Sequence, residues 1–563
     1  LDEYGEAVKA FIVQYSQNLG QMLFSSSMNK LVTYALDLLN HHETKDIVKH
    51  KLAGLIIFDC LIDINDEIIP ERRIEISNHI FKVLENDKLS LIVNEVILRT
   101  ASSSIGHFAR VASSSEAEFL QNFSFPLALK LLRDTKSDSH KFSGALILTQ
   151  LAQNSPTLIF SKQRQVFAEI CEIMSDKSPM VRSAAATALE SVLRVIAQRE
   201  SMSEYIKSAF KQVDSGLSAA TQERIIGALC ILDTILDGSV LTMGEVINAM
   251  RQYSIHPQDL IWKVLMRKDS KDLDVRRKVL EIIPNLARSF GNTFLQSNNY
   301  LTPPNNFLSY TTKFLIDQIL EKKERVAAFL ALTKLHSALS NHFRTALNVS
   351  DVFNAVCFGL RDAFTVEALE CLGVLVSISP AFRKLVDQSL TSSMFRGGLS
   401  VQLVESLKLV TKHVPAVRNH ALALVLREIS GILVSNRMVS TEEQRKRQAD
   451  GWVKSNKEKQ KWNSGSNHRF QGTKPDAVVI DFIPSSDEII FALRVLSESE
   501  FFPKYYREKS QGISEDDHTC TLLFLLRDSV IWYFDDPNIL VRKAAATACS
   551  VVLNAIVLFV DRN

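Results

Sequence analysis

The sequence predicts an all-α protein, a solenoid or superhelix of stacked antiparallel helix pairs. Apolar residues recur at intervals of three and four along most of the 563 residues, in stretches of about 12–20 residues that are typical of amphipathic helices. Glycine (19) and proline (14) give only 33 residues, about 6% against a usual share of about 12%. A regular array of repeats also explains the length, because each repeat contacts only its neighbours.

Short polar turns separate the predicted helices. No stretch shows the strict alternation of a half-buried strand. A longer loop is predicted at Gln296–Asn306, which contains two prolines and several asparagines. The shorter turns are Ser25–Ser27, Asn65–Asp66, Asn86–Asp87, Ser155–Pro156, Ser178–Pro179 and Ser379–Pro380.

One sequence motif occurs in three copies. Residues 181–193 read VRSAAATALESVL, residues 541–553 read VRKAAATACSVVL, and residues 275–287 read VRRKVLEIIPNLA. Each copy follows an acidic turn, with Asp176 before the first copy and Asp536 before the second. We expect the turn aspartate to cap the helix that follows, or to accept a hydrogen bond from the arginine of the motif.

Ten residues define this repeat, and their predicted role is structural rather than catalytic. The valines begin a buried stripe, the arginines bridge the turn, and the alanines let the helix approach its neighbour closely. The pattern matches the second helix of a HEAT repeat, a unit of about 40–47 residues, so the chain would hold roughly 11–13 units. An irregular helical bundle is the alternative, but it does not explain two such similar copies so far apart. The ten residues are Asp176, Val181, Arg182, Ala185, Val275, Arg276, Asp536, Val541, Arg542 and Ala545.

Residues 436–475 interrupt the helical pattern. They contain ten lysines and arginines against four acidic residues and almost no aliphatic ones, so we predict a basic, disordered insertion. The HEAT solenoid then occupies residues 1–435 and continues over residues 476–563. With Trp452 and Trp462, the insertion has the composition to bind nucleic acid, to hold an acidic patch of a partner, or to act as a nuclear localisation signal. A solvated linker is the simplest interpretation.

The sequence contains no catalytic motif. Phosphate-binding glycine loops, nucleophile elbows, zinc-protease helices and protein-kinase motifs are all missing, so we expect no catalytic, cofactor-binding or metal site in this fragment. The seven scattered cysteines lack C-x-x-C spacing and are expected to be reduced. His41–His42, the spaced pair His413 and His420, and the Glu515–His518 cluster are interpreted as surface or turn residues.

Charge and hydropathy limit the classes of partner. The net charge is +2, from 65 basic and 63 acidic residues, which gives no general reason to expect nucleic acid or an anionic membrane. No apolar stretch reaches the ~18–20 residues needed to cross a bilayer. The glycosylation sequons at Asn122 and Asn348 are interpreted as chance matches. The aromatic cluster Phe501–Tyr506 is interpreted as packing of a capping loop, with a contact to a partner protein as the alternative. The chain begins at Leu1 without methionine and ends after an apolar run, so we expect a fragment of a longer protein.

Seven segments occur in an order that is similar to one known family. Lys51–Asp66 is a glycine- and isoleucine-rich helix that ends in an acidic turn, and Lys141–Phe160 is a leucine-rich helix followed by a proline-threonine turn. In this order, with a variable basic loop before the last segments, they resemble the N-terminal HEAT solenoid of the target of rapamycin (TOR) kinases. Residues 365–435 match poorly, and an insertion that is common in the family after Leu236 is missing. The remaining segments are 181–200, 224–236, 322–347, 487–501 and 536–553.

The resemblance implies a function for the parent protein rather than an activity of this fragment. The parent would be a serine/threonine kinase of the phosphatidylinositol-kinase-related class, which uses ATP and magnesium in growth and nutrient signalling. Its solenoid would be a scaffold that docks Raptor-type or Rictor-type subunits and supports dimerisation with a second copy. The protein would be cytoplasmic and recruited by its partners to lysosomal or vacuolar membranes. An importin-like nuclear transport receptor is the alternative, although such receptors are usually strongly acidic.

Overall fold

Helices form all the regular secondary structure in the described part of the chain. The computed structural model describes residues 21–40, 47–62, 69–85, 91–199, 202–238, 240–297, 300–301, 306–321, 324–340, 349–362, 364–435, 484–498 and 526–560, and none of these residues lies in a strand. The chain forms two compact units, Leu1–Phe307 and Leu308–Asn563. The sequence predicted a loop at Gln296–Asn306 but no division there.

Helices of the first unit begin at the turns predicted at Ser155–Pro156 and Ser178–Pro179, but the turn predicted at Ser25–Ser27 is wrong: the helix Gln21–Asn40 continues through it, since apolar residues recur at helical spacing on both sides of the serines. The turns predicted at Asn65–Asp66 and Asn86–Asp87 lie outside the described residues. The helices of the first unit are α1 (Gln21–Asn40), α2 (Ile47–Ile62), α3 (Ile69–Leu84), α4 (Leu91–Val111), α5 (Ser114–Phe119), α6 (Phe125–Leu132), α7 (Asp138–Asn154), α8 (Pro156–Ser161), α9 (Gln163–Ile173), α10 (Pro179–Ala197), α11 (Ser203–Leu217), α12 (Gln222–Leu236), α13 (Met243–Gln252), α14 (Pro257–Leu265), α15 (Leu273–Ser289) and α16 (Gly291–Leu295). A π-helical turn, Leu120–Ser124, joins α5 to α6.

Local sequence explains where several of these helices begin. At the start of α7, the Ser137 hydroxyl accepts a hydrogen bond from the main-chain N–H of His140 at 3.2 Å. Thr242 and Glu245 form a reciprocal capping box at the start of α13. Pro179 occupies the first turn of α10, where the missing N–H would have no helical partner in any case.

The first unit is a stack of helix pairs in chain order. The first helices of the pairs are α1, α3, α6, α9, α11 and α14, and the second helices are α2, α4, α7, α10, α12 and α15. Each first helix packs against the second helix of its own pair, and each second helix packs against the next second helix along the chain. This nearest-neighbour packing is that of a HEAT-type solenoid and not of an irregular bundle. The predicted fold class is confirmed.

Glycines allow the two helices of a pair to approach closely. A Cβ at Gly54 of α2 would lie 2.9 Å from the carbonyl oxygen of Ala35 on α1. At Gly144 of α7 it would lie 2.7 Å from the carbonyl oxygen of Ala128 on α6. The remaining contacts are mostly aliphatic, so one apolar core runs along the unit between the two rows of helices.

The second unit repeats this arrangement. The second helices α18, α20 and α23 pack in sequence, and α25 packs against α26. The poorly matching stretch, residues 365–435, thus folds as part of the row. The insertion predicted at 436–475 lies outside the described residues, but the helices before and after it, α24 and α25, pack against each other. The helices are α17 (Phe307–Leu320), α18 (Arg325–Ala338), α19 (Val349–Arg361), α20 (Val366–Ile378), α21 (Pro380–Arg383), α22 (Gln388–Met394), α23 (Val401–His413), α24 (Arg418–Ser435), α25 (Ser486–Glu498) and α26 (Ile539–Val560).

Candidate functional site

The arginine of each motif copy closes the turn that precedes its helix. Arg182 Nη1 donates to the carbonyl oxygens of Asp176 and Lys177, both at 2.9 Å. Arg276 Nη1 donates in the same way to the carbonyl oxygens of Ser270 at 2.8 Å and Lys271 at 3.1 Å. One guanidinium therefore satisfies two main-chain acceptors five and six residues before it.

The copy at residues 541–553 has the same geometry in the second unit. Arg542 Nη1 donates to the carbonyl oxygens of Asp536 at 2.6 Å and Pro537 at 3.2 Å. The arginine is the same in all three copies, but the residues that supply the two carbonyl oxygens differ from copy to copy and are aspartate, lysine, serine or proline. The contact depends on the course of the main chain and not on the identity of the turn residues.

The carboxylates of the turn aspartates accept hydrogen bonds from main-chain N–H groups and not from the arginine of their own motif copy. Asp176 Oδ1 accepts from the main-chain N–H of Ser178, and Asp536 Oδ1 from that of Asn538, both at 2.8 Å. Each carboxylate takes the main-chain donor two residues ahead, which tightens the turn before the helix starts. In the third copy, Asp272 Oδ1 instead accepts from the N–H of Val275 at 3.1 Å, which is the expected helix cap.

The apolar residues of the motif lie in the core. The side chains concerned are fully buried, with 0% exposure, and each belongs to the second helix of a pair. Small side chains at these positions let neighbouring second helices lie close, so their replacement by larger ones would strain the stack. They are Val181, Ala185, Val275, Val541 and Ala545.

Ion pairs join the turns of different repeats along one edge of the first unit. Lys141 Nζ on α7 lies 2.6 Å from Asp176 Oδ2, and both side chains are only 11% exposed. Burial opposes the charge of Lys141, but its pKa is raised because hydrogen bonds to Asp176 and Asp138 favour the ammonium. Arg182 Nη2 reaches Asp274 Oδ2 on α15 at 3.4 Å. The sequence motif did not predict these links between repeats.

A second group of polar contacts crosses between second helices. Lys278 Nζ on α15 lies 2.7 Å from Asp233 Oδ2 on α12, and Asn285 Nδ2 donates to Asp233 Oδ1 at 2.7 Å. Burial opposes the positive charge, yet the nearby Asp233 raises the pKa of Lys278 overall. Between α2 and α4, His107 Nδ1 lies 3.1 Å from Asp59 Oδ1. Such pairs fix the register of adjacent helices.

The arrangement that comes nearest to catalytic chemistry is a serine–histidine contact in the second unit. Ser392 Oγ lies 2.7 Å from His420 Nε2 and donates its proton to the carbonyl oxygen of Gln388 at 3.0 Å. With the hydroxyl proton engaged by that carbonyl oxygen, the His420 tautomer that carries its proton on Nε2 donates to the serine oxygen and does not activate it. The contact ties α22 to α24 and is structural.

The remaining reactive groups are buried or dispersed. Burial raises the pKa of the Cys171 and Cys371 thiols to about 12 and lowers the pKa of His336 to about 3. Within the described residues no three histidine, cysteine or acidic side chains cluster as metal ligands, and no helix is both long and apolar enough to span a bilayer. His41–His42, Glu515–His518, Phe501–Tyr506 and Asn348 lie outside the described residues.

The chain is similar to large kinases of one kind. No protein-family model matches it. The serine/threonine-protein kinase tor1 of Schizosaccharomyces pombe is 23% identical over 564 residues, which cover 97% of this chain and 21% of that protein. The serine/threonine-protein kinase TOR of Oryza sativa subsp. japonica is 24% identical over 431 residues, or 74% of this chain and 16% of that protein. The chain thus spans about a fifth or less of these relatives' length.

Solved structures match most of the chain at low sequence identity. A mutant of Kap121p has a TM-score of 0.49 and 11% identity, over 98% of this chain and 58% of that one. The karyopherin Kap121p bound to the extreme C-terminus of the phosphatase Cdc14p has a TM-score of 0.48 and 10% identity, over 95% and 55%.

The curated matches agree with the segment order read from the sequence. Four TOR kinases, at 21–24% identity, match between 57% and 97% of the chain. The stacked helix pairs show that the matching part is a helical-repeat region. The chain is therefore similar over most of its length to TOR kinases, and its matching part is a helical-repeat region, in agreement with the resemblance.

Proposed function

We propose that the chain is the protein-binding scaffold arm of a TOR-like serine/threonine kinase. In this proposal it docks Raptor-type or Rictor-type subunits and supports dimerisation of the parent kinase in growth and nutrient signalling. The similarity to tor1 carries the proposal, because the match at 23% identity extends over 97% of the chain. The stacked helix pairs support it physically, since a row of repeats offers a long surface without needing a pocket.

The surface has residues suited to protein contacts. Specific interfaces bury about 1,200–2,000 Å² and take about 20–30 residues from each side, an area that several adjacent repeats can supply. Aromatic and methionine side chains are enriched in interface cores. Exposed examples occur in both units: Met266 is 57% exposed, Tyr300 47% and Trp532 55%.

We further propose that the fragment itself performs no phosphotransfer and binds no cofactor. ATP and magnesium would bind in another part of the parent kinase. The contact of Ser392 with His420 gives no activated nucleophile, as described above. The purified chain is expected to transfer no phosphate from radiolabelled ATP to a generic substrate, and transfer abolished by a kinase inhibitor would contradict this.

Co-purification tests the scaffold function. The full chain, immobilised through a tag, is expected to recover a Raptor-like or Rictor-like subunit from an extract of the source cells. A HEAT-repeat protein of similar length and charge serves as the control bait. Folded chain that recovers neither subunit would refute the proposal.

Binding of Ran loaded with GTP instead would favour the importin-like function. The proposed cytoplasmic location and partner-dependent membrane recruitment are tested by imaging with and without the recovered subunit.

A further inference from the structure

Positive charge collects where two adjacent second helices of the second unit end. Arg383 donates through Nε and Nη2 to the carbonyl oxygens of Val376 and Ser377 at the end of α20, both at 2.7 Å. Arg418 Nη2 approaches the carbonyl oxygen of Thr411 at the end of α23, at 3.5 Å. Each arginine thus caps the C-terminal carbonyls of a second helix from six or seven residues further on.

Lysine and histidine side chains complete the cluster. Lys412 and His413 lie in the last turn of α23, next to the carbonyl oxygen that Arg418 approaches, and Lys384 follows Arg383 in the chain. Burial, followed by the charges of Arg383 and Lys412, lowers the pKa of His413. Lys384 and Lys412 are exposed, whereas Arg383, His413 and Arg418 are partly exposed. We call Arg383, Lys384, Lys412, His413 and Arg418 the basic edge.

The carboxylates of the same stretch are engaged elsewhere. Glu405 pairs with Lys408 at 2.7 Å, and Glu428 pairs with Arg427 at 3.4 Å. Asp387 caps α22 by accepting from a main-chain N–H at 2.7 Å. The basic edge is therefore a local concentration of positive charge on a chain whose net charge is only +2.

We propose that the basic edge binds an acidic, extended peptide segment of a partner protein. The inference rests on the proposed scaffold function and specifies the chemistry of one docking surface. Adjacent packed helices lie about 8–10 Å apart, so the two arginines at their ends have a similar separation. A chain in the extended polyproline II conformation has three residues per turn and advances about 3.1 Å per residue, so acidic side chains three residues apart lie on one side, about 9 Å apart, opposite the two arginines. Guanidinium groups match carboxylates in a fork geometry.

The size of the basic edge favours a short peptide over nucleic acid. A nucleic-acid site commonly neutralises about 6–10 phosphates, and a single-strand site adds aromatic stacking platforms. The basic edge has four positively charged side chains at neutral pH, because the lowered pKa of His413 favours its neutral form, and it contains no phenylalanine, tyrosine or tryptophan. A membrane surface would in turn need a broader cluster, since stable membrane attachment takes a second signal besides charge.

The test compares two double variants of the full chain with equal changes in charge. Lys384→Glu with Lys412→Glu reverses two exposed charges of the basic edge. Lys313→Glu with Lys334→Glu reverses two exposed lysines elsewhere in the second unit. The probe is a short fluorescent peptide with glutamate at every third position, and its lysine counterpart is the negative control. All four lysines are exposed, so both variants are expected to keep the melting curve of the wild type, which is measured first.

We expect the affinity for the glutamate peptide to fall about tenfold in the basic-edge variant and to change less than twofold in the control variant. Equal affinities in the two variants would overturn the proposal. So would wild-type binding to oligothymidylate or to phosphatidylserine vesicles that exceeds peptide binding and is lost in the same variant. The assay contains no kinase subunit, so its outcome is independent of whether a Raptor-type or Rictor-type protein is recovered.

Discussion

Replacing Gly144 with alanine is expected to destabilise the third helix pair of the first unit. Gly144 lies in α7 where that helix crosses α6. A Cβ there would be 2.7 Å from both the carbonyl oxygen of Ala128 and the main-chain nitrogen of Leu132, and 3.1 Å from Leu132 Cα. Ordinary contacts of a Cβ begin at 3.4 Å, so α6 would have to move away by about 0.7 Å.

The geometry gives the size of the loss. Overpacking a core costs about 1–3 kcal/mol, and here the upper end applies because main-chain atoms cannot rotate aside as side chains do. Six of the eight residues of α6 are buried, so a shift of this helix would also disturb its other contacts. The higher helix propensity of alanine offsets about 1 kcal/mol of this loss in the free energy of unfolding. The net loss is about 2 kcal/mol, or roughly a thirtyfold rise in the opening equilibrium.

Gly431 provides the matched control. It also lies within a helix, α24, but a Cβ there would meet nothing within 4 Å. Gly431→Ala should therefore stabilise the protein by about 0.5–1 kcal/mol. Hydrogen exchange of peptides covering α6 and α7 measures the local opening, and urea unfolding followed by circular dichroism measures the whole chain. If Gly144→Ala shifted stability in the same direction as Gly431→Ala, the close crossing of α6 and α7 would be wrong.

Three further predictions concern single residues. Ala185 is fully buried in α10, and Ala185→Leu should overpack the stack by about 1–3 kcal/mol; an unchanged melting curve would contradict its position. Ser254 has φ 56° after α13, so Ser254→Gly should raise the free energy of urea unfolding by about 1 kcal/mol, and a decrease would argue against this strain. Hydrogen bonds from His140 and then from the Lys136 N–H hold the pKa of Asp134 below its ordinary value of 3.8. Ionised Asp134 therefore stabilises the fold above pH ~4, and this stabilisation is lost as the pH falls through the lowered pKa. The difference in unfolding free energy between wild type and Asp134→Asn should therefore shrink on acidification and not grow.

Sequence reasoning succeeded where structure depends on apolar spacing. Val181 and Ala185 are buried because a periodic apolar stripe must face the neighbouring helices, whatever the details of the turn. For the same reason residues 365–435 fold as paired helices although their similarity to the family is weak. Helix pairing requires the spacing of apolar residues and not a particular sequence.

The spacing of apolar residues does not predict which atoms the polar side chains contact. The acceptors of Arg182 are main-chain carbonyl oxygens. Every residue has one, so a sequence motif cannot identify which of them will accept the hydrogen bond. The pair of Lys141 with Asp176 joins residues 35 positions apart, and their meeting depends on the offset between consecutive helix pairs. A sequence gives the length of a repeat but not this offset, because the offset follows from how the buried side chains of adjacent repeats fit together.

Arginines that donate to main-chain carbonyls stabilise the helical array without depending on the side chains of the turns. The turns closed by Arg182, Arg276 and Arg542 differ in sequence, yet each gives the guanidinium two acceptors between 2.6 and 3.2 Å. The turn side chains can therefore change without loss of this contact, since carbonyl oxygens do not depend on residue type. Arg383 uses the same kind of bond at the end of α20, where it also adds charge to the basic edge. In such a scaffold, the exposed side chains beside these arginines determine which partner binds. Substituting those side chains changes the surface but leaves the hydrogen bonds between arginine and main chain in place.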